Sequence, residues 1–230
     1  MPNYILKTVQ ADGSAYGDFV WPLEVGAQVV APDFNTDASC GGGLHGLLNG
    51  CGNGALLNWG DGAVWIVAKV PKKAQMVDLG DKVKVDRCKI VHVGNRETAT
   101  TFLVDHGCSG PIVGVTAIAG KWGTATAGDD GTAIAGYGGT ATAGDDGTAT
   151  AANHGTATAG NRGTATAGKW GTATAGYGGT ATAGNSGAII LTWWDDENGR
   201  KRTVVGYVGE DGIEANVAYR LNENGKLVKA

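Results

Sequence analysis

Over a long central stretch, polar and apolar residues alternate in short runs of four, the period-two pattern of a half-buried strand, and each run is set off by glycine. From Lys121 to Gly184 the chain reads KWGTATAG, DDGTAIAG, YGGTATAG, DDGTATAA, NHGTATAG, NRGTATAG, KWGTATAG and YGGTATAG, eight consecutive octads without an insertion. Looser units flank them, VGVTAIAG at 113–120 and NSGAIILT at 185–192. In a strand the alternation turns Thr124 and Thr126 to one side and Ala125 and Ala127 to the other. Threonine is β-branched and favours this conformation. A helix is excluded, because glycine would fall in it twice per octad and threonine would crowd every turn. The variable pair of each octad (Lys-Trp, Asp-Asp, Asn-Arg) belongs at a solvent-facing corner, and the bracketing glycines read as suppliers of the unusual backbone angles a corner needs.

One octad is too short to close a coil around even an alanine core, so two octads per coil are expected. Ten octads, flanks included, then give about five coils and a parallel β-solenoid on the order of 24 Å long. A triangular coil of three octads, 24 residues, is the alternative. In the two-octad coil, one face carries Thr124/Thr126, Thr140/Thr142, Thr156/Thr158 and Thr172/Thr174. The other carries Thr132, Thr148/Thr150, Thr164/Thr166 and Thr180/Thr182, with Ile134 in place of one threonine. Threonines two apart on a strand are separated by about 7 Å and coils by about 4.8 Å. Each face is thus a regular grid of hydroxyls and methyls whose spacings lie near repeat distances of ice.

The units Ala135-Gly136-Tyr137-Gly138-Gly139-Thr140-Ala141-Thr142 and Ala143-Gly144-Asp145-Asp146-Gly147-Thr148 resemble the central repeats of bacterial ice nucleation proteins. Those alternate an Ala-Gly-Tyr-Gly-Ser-Thr-x-Thr octad with an acidic one; the resemblance covers residues 113–192. It implies a threonine-lattice solenoid that binds ice or ordered water. The plain alternative is a rigid scaffold or protein-interaction module in which threonine only keeps strands soluble and the N-terminal domain holds a protein partner or a second copy. Two details of the corners bear on this. The acid pairs Asp129-Asp130 and Asp145-Asp146 stack between neighbouring coils, which costs repulsion unless solvent or a cation screens it. Trp122, Tyr137, Trp170 and Tyr177 are positioned to form corner ladders.

Residues 1–112 read as a separate α+β domain that also caps one end of the solenoid. Tyr4–Val9 alternates like a strand, residues 11–14 (ADGS) form a turn and Asp18–Pro22 is extended. Ala63–Val70 is a buried strand, Lys82–Val93 one or two more, and Asn95–His106 a short helix with an asparagine cap. A glycine- and cysteine-rich loop is expected over 40–54. Its run Cys40-Gly41-Gly42-Gly43-Leu44-His45-Gly46 is similar to a Cys-Gly-x-Gly-Leu-His motif in uncharacterised bacterial and phage proteins, which implies no activity. Cys40, His45 and Cys51 are weak candidates for a metal site or for a nucleophile with its base. The spacing is not that of a zinc site, and the expectation is a non-catalytic protein without a cofactor. Residues 193–230 read as a β-hairpin cap, with Trp193 and Trp194 available to cover the last coil.

Composition narrows the picture further. Glycine supplies 41 of 230 residues but proline only 5, which excludes collagen. Hydrophobic residues reach 42%, yet only 7% of the chain is aromatic. The core of the repeats is therefore thin, and backbone ladders must carry much of the stability. A net charge of −4 gives no reason to expect nucleic acid or an anionic membrane as partner. The first residues lack the apolar stretch of a signal peptide, so a cytoplasmic location is expected, with export by another route left open. In such a chain the four cysteines read as reduced thiols.

Overall fold

Runs rich in valine, isoleucine and aromatic residues build the first of the two units into which the chain divides, Met1–Val113 and Gly114–Ala230. The computed structural model describes residues 3–16 and 19–230. In the first unit β1 (Asn3–Val9), β2 (Gln28–Val30), β3 (Leu44–Leu48), β4 (Val64–Val70), β5 (Met76–Asp78), β6 (Val83–Val85) and β7 (Arg87–Gly94) form one antiparallel sheet in the order β2-β7-β4-β1-β3-β6-β5. Alternate residues of the central strands, among them Ile5, Val9, Ile66, Ala68, Val83, Val85 and Ile90, share a buried cluster with Trp21. The expected helix is α1 (Arg96–Asp105), which packs on β4 and β7. Asn95 caps it: its Oδ1 accepts from Thr98 N at 2.9 Å while Thr98 Oγ1 accepts from Asn95 N at 3.2 Å. Such a cap contributes about 1 kcal/mol. Of the extended segment expected at Asp18–Pro22, Asp18 lies outside the described residues and Val20 makes a single bridge to Ser14.

One expectation for this unit is corrected. The segment 40–54 is not a loop throughout, because Leu44–Leu48 is β3, paired to β1 on one side and β6 on the other. Gly46 fits inside that strand because its neighbours come close: a Cβ there would lie 2.9 Å from Ile5 Cβ and from Leu6 O.

The second unit is the solenoid with its cap. Ten short strands alternate between two parallel sheets. β8 (Thr116–Ala119), β10 (Thr132–Ala135), β12 (Thr148–Ala151), β14 (Thr164–Ala167) and β16 (Thr180–Ala183) form one; β9 (Thr124–Thr126), β11 (Thr140–Thr142), β13 (Thr156–Ala159), β15 (Thr172–Ala175) and β17 (Ala188–Asp195) form the other. Every pairing is displaced by sixteen residues, as in Thr132↔Thr148 and Thr140↔Thr156. The coil therefore holds two octads, which removes the 24-residue alternative. Alanines from both sheets, Ala133, Ala141, Ala149, Ala157, Ala165 and Ala173 among them, are fully buried between them. Each contributes only a methyl, on the order of 0.8 kcal/mol. Backbone bonds run from coil to coil beside them, for example Thr140 N to Gly123 O at 2.9 Å and Thr156 N to Gly139 O at 3.0 Å.

The corners are tight turns closed by the second glycine, as in Gly123 N to Gly120 O at 3.0 Å and Gly139 N to Gly136 O at 3.0 Å. The left-handed backbone falls on the second variable residue and not on the bracketing glycines: φ is 60° at Trp122, 52° at Asp130, 58° at His154 and 54° at Arg162. The closing glycine is needed for a different reason, close approach. A Cβ on Gly147 would lie 2.8 Å from Ala143 Cβ and 2.9 Å from Gly144 O.

At the C-terminal end, larger side chains replace alanine, and Ile189 and Leu191 are fully buried. β18 (Arg200–Tyr207) pairs antiparallel along the whole of β17, and β19 (Ala218–Leu221) pairs with β16 and with β20 (Leu227–Lys229). Each parallel sheet thus ends in an antiparallel strand. Gly206 makes room for Ile213 and Leu227, and Gly225 for the ring of Trp193. Trp194 remains 47% exposed, so only one of the two tryptophans packs inward. Within the described residues, no helix is long and apolar enough to cross a membrane.

Candidate functional site: threonine faces and corner ladders

Strand alternation with alanine inward sets every threonine of the octads outward. On the β9–β15 sheet the ladder stacks Thr124, Thr140, Thr156 and Thr172 in one column and Thr126, Thr142, Thr158 and Thr174 in the next. On the β8–β16 sheet Thr148, Thr164 and Thr180 stack beside Thr150, Thr166 and Thr182. Two earlier rungs of that sheet carry Thr116 with Ile118 and Thr132 with Ile134, and Ile118 is paired to Ile134. Four uninterrupted threonine pairs therefore lie on one face, and three lie on the other beside an isoleucine patch. Thr124, Thr140 and Thr156 are exposed, and the second threonine of each pair is half-buried between its neighbours. All fourteen threonines singled out from the sequence fall on these two faces.

Side chains at the corners also repeat every sixteen residues, and they form ladders of their own. Asp129 Oδ1 accepts from Asp145 N at 3.0 Å, Asp145 Oδ1 from Asn161 N at 2.7 Å, and Asn161 Oδ1 from Tyr177 N at 3.1 Å. The repulsion expected of stacked acids is met within the chain: Arg162 Nε donates to Asp146 Oδ1 at 2.9 Å. That hydrogen bond and the guanidinium charge hold the Asp146 carboxyl below its ordinary range. On the opposite edge, ring centroids of Trp122 and Tyr137 lie 5.5 Å apart, Tyr137 and His154 5.1 Å, and His154 and Trp170 4.7 Å. Lys169 Nζ sits 3.8 Å from the Trp170 centroid, a cation–π contact. Of the four residues expected in corner ladders, Trp122, Tyr137 and Trp170 share one. Tyr177 belongs to the acidic edge, and His154 supplies the missing rung.

Near Cys40 the geometry is that of a clamped loop. Lys84 on β6 is fully buried, and its Nζ donates to Asn35 Oδ1 at 2.7 Å, Ser39 O at 3.1 Å and Gly41 O at 2.9 Å. Gly41, Gly42 and Gly43 adopt φ of 114°, 61° and 120° to wrap it. Cys40 is exposed, 3.2 Å from Lys82 Nζ. His45 stands on β3 opposite Lys84, its Nε2 buried without a partner. Burial holds His45 below the ordinary imidazole range, and Lys82, Lys7 and Lys84 add to the effect. Cys51 Sγ lies 3.9 Å from Asn49 O and from Ser109 O, and burial raises its thiol. Burial pushes Cys88 up to about 12. Among the described residues, no group of three or more His, Cys, Asp or Glu side chains is placed to hold a metal.

Lys84 and the corner residues Asn153, His154, Asn161 and Arg162 were not singled out from the sequence. For the corner residues the signal was present, since each lies sixteen positions from its partner. For Lys84 there was none, because its ligands come from a distant loop. Compared with known proteins, the chain matches no family model, no curated protein and no solved structure.

Proposed function

We infer that this protein binds ice, or orders water in an ice-like layer, through the outward threonines of β9, β11, β13 and β15. The observation that carries the reading is the in-register stacking of four Thr-x-Thr pairs on one parallel sheet. Parallel pairing fixes their spacing at about 4.8 Å across strands and roughly 7 Å along them. Each hydroxyl holds one water weakly, so recognition rests on many such waters matching one lattice. A rigid backbone ladder supplies that match without an ordering cost at binding. The likeness of the repeats to those of ice nucleation proteins supports the same reading. Four rows span only about 15 Å, so adsorption to existing ice is expected in preference to efficient nucleation. No catalytic step and no cofactor enter this reading.

Ice-affinity partitioning tests it. Ice is grown slowly in a dilute solution and protein is assayed in both phases. The wild type is expected to be enriched in ice. Thr156→Lys/Thr158→Lys, placed in the middle of the four-row face, abolishes enrichment, while Thr164→Lys/Thr166→Lys on the other face leaves most of it. Exclusion of the folded wild type from ice overturns the proposal and leaves a rigid scaffold.

A further inference from the structure

The two edges of the solenoid, where the chain turns from one sheet to the other, carry opposite chemistry. One edge presents Lys121-Trp122, Tyr137-Gly138, Asn153-His154, Lys169-Trp170 and Asn185-Ser186, with two lysines and no carboxylate. The other presents Asp129-Asp130, Asp145-Asp146, Asn161-Arg162 and Tyr177-Gly178, with four carboxylates and one guanidinium. Formal charges are +2 and −3 (four aspartates less Arg162). The first edge also leaves Trp122 66% and Trp170 51% exposed, on a ladder of rings in edge-to-face and tilted contact.

We propose that copies of this chain associate side by side and in register, the lysine–aromatic edge of one against the acidic edge of the next. The corners of the two edges are offset by half a coil, about 2.4 Å along the axis. A copy placed beside the first by sideways translation therefore sets each corner of one edge level with the gap between two corners of the other. Lys121 faces Asp129 and Asp130, and Tyr137 and His154 straddle Asp145 and Asp146. Arg162 comes level with the exposed rims of the His154 and Trp170 rings, and Tyr177 comes beside Lys169. Every carboxylate meets a cation or a hydrogen-bond donor, and the guanidinium meets the exposed rim of an aromatic ring rather than a lysine.

Translation does not close on itself, so the contact generates open rows. In such rows the corresponding threonine faces of all copies are coplanar. The contact is small, roughly 24 Å by 10 Å on each copy or on the order of 500 Å² in all, below the ~1,000 Å² of a stable interface. Association is therefore weak, reversible and sensitive to salt. It is made by the edges alone and does not depend on ice binding.

Sedimentation of the full chain, from about 10 μM to about 1 mM, reads it. In about 20 mM salt the mass of the wild type is expected to rise with concentration, and in about 0.5 M salt to return to the monomer. Lys121→Glu/Lys169→Glu makes both edges acidic, and Asp130→Lys/Asp146→Lys makes both edges basic. Each variant alone stays monomeric, and an equimolar mixture associates again. Asp146 also holds Arg162 within its own chain, so Trp122→Ala/Trp170→Ala serves as a second variant. It leaves the acidic edge intact and also abolishes association. A wild type that stays monomeric throughout overturns the proposal. So does association that survives the lysine reversal, which would place the contact away from these two edges.

Discussion

Ser186 and Gly187 are neighbours in one corner, and exchanging glycine in and out of them has opposite expected signs. Ser186 holds φ at 56°, a left-handed conformation that costs an L-residue about 1–2 kcal/mol. Ser186→Gly removes that cost but gives the unfolded chain more freedom, worth about 0.5–1 kcal/mol. The net expectation is a gain of roughly 0.5–1 kcal/mol. Gly187 has no such backbone demand. A Cβ there would lie 2.8 Å from Gly171 O, 2.9 Å from Gly184 O and 3.0 Å from Ala183 Cβ. Neither oxygen can withdraw freely, since Gly171 O accepts from Ala188 N and Gly184 O from Gly187 N, each at 3.0 Å. Overpacking costs about 1–3 kcal/mol, and each weakened bond adds up to about 1 kcal/mol. Gly187→Ala should therefore lose about 2–4 kcal/mol. Urea unfolding followed by circular dichroism separates the two through the midpoint at constant slope. If Gly187→Ala is neutral, or Ser186→Gly destabilises, the corner glycines do not serve close approach and the account of the turn fails.

Lys84→Met removes the donor to Ser39 O and Gly41 O and leaves Asn35 Oδ1 only its bond from Asp37 N; the first unit should lose about 1–3 kcal/mol, and limited proteolysis should cut within 33–43. Asp146 and Asp195 both titrate below the ordinary carboxyl value, held down first by hydrogen bonds from Arg162 and Arg202 respectively. The unfolded chain takes up those protons first as the pH falls, so their contribution is intact above the unfolded value near 3.8 and is lost as the pH drops through the folded values. Acid titration of unfolding should show this limb, and Asp146→Asn should reduce it while costing no more than ~1 kcal/mol at neutral pH, as expected of an exposed pair. Burial first, and then the neighbouring lysines, hold His45 below its unfolded value of 6.5, so the first unit should lose stability as the pH falls below that value and level off below the folded one. Amide exchange in β3 at neutral and mildly acid pH reads this, and His45→Gln should flatten the dependence.

The solenoid was legible because its information is local and repeated. Alternation within Thr-Ala-Thr-Ala sets the faces, and the sixteen-residue displacement sets the coil. The inward alanines and outward threonines therefore stand where the sequence puts them. What was not legible depends on which atoms come close in three dimensions. The sequence shows glycine beside every corner, but not that the left-handed angle falls on Trp122, Asp146 or His154 while the glycine makes room for a carbonyl one coil away. Likewise Cys40-Gly41-Gly42-Gly43 shows a chain free to turn sharply, but not that Lys84, more than forty residues on, lies inside the turn. β3 was hidden by Gly46, whose place in a strand is decided by Ile5 and Leu6.

The same displacement governs both the faces and the edges. It brings Asp146 to Arg162, His154 to Trp170 and Thr140 to Thr156, so one register gives a threonine lattice and two unlike edges. A substitution at a corner is thereby separable from one on a face. Corner changes should alter association at unchanged ice partitioning per monomer, and face changes the reverse. If the two readouts moved together in folded variants, faces and edges could not be independent consequences of the coil, and a change in the backbone ladder would have to be common to both.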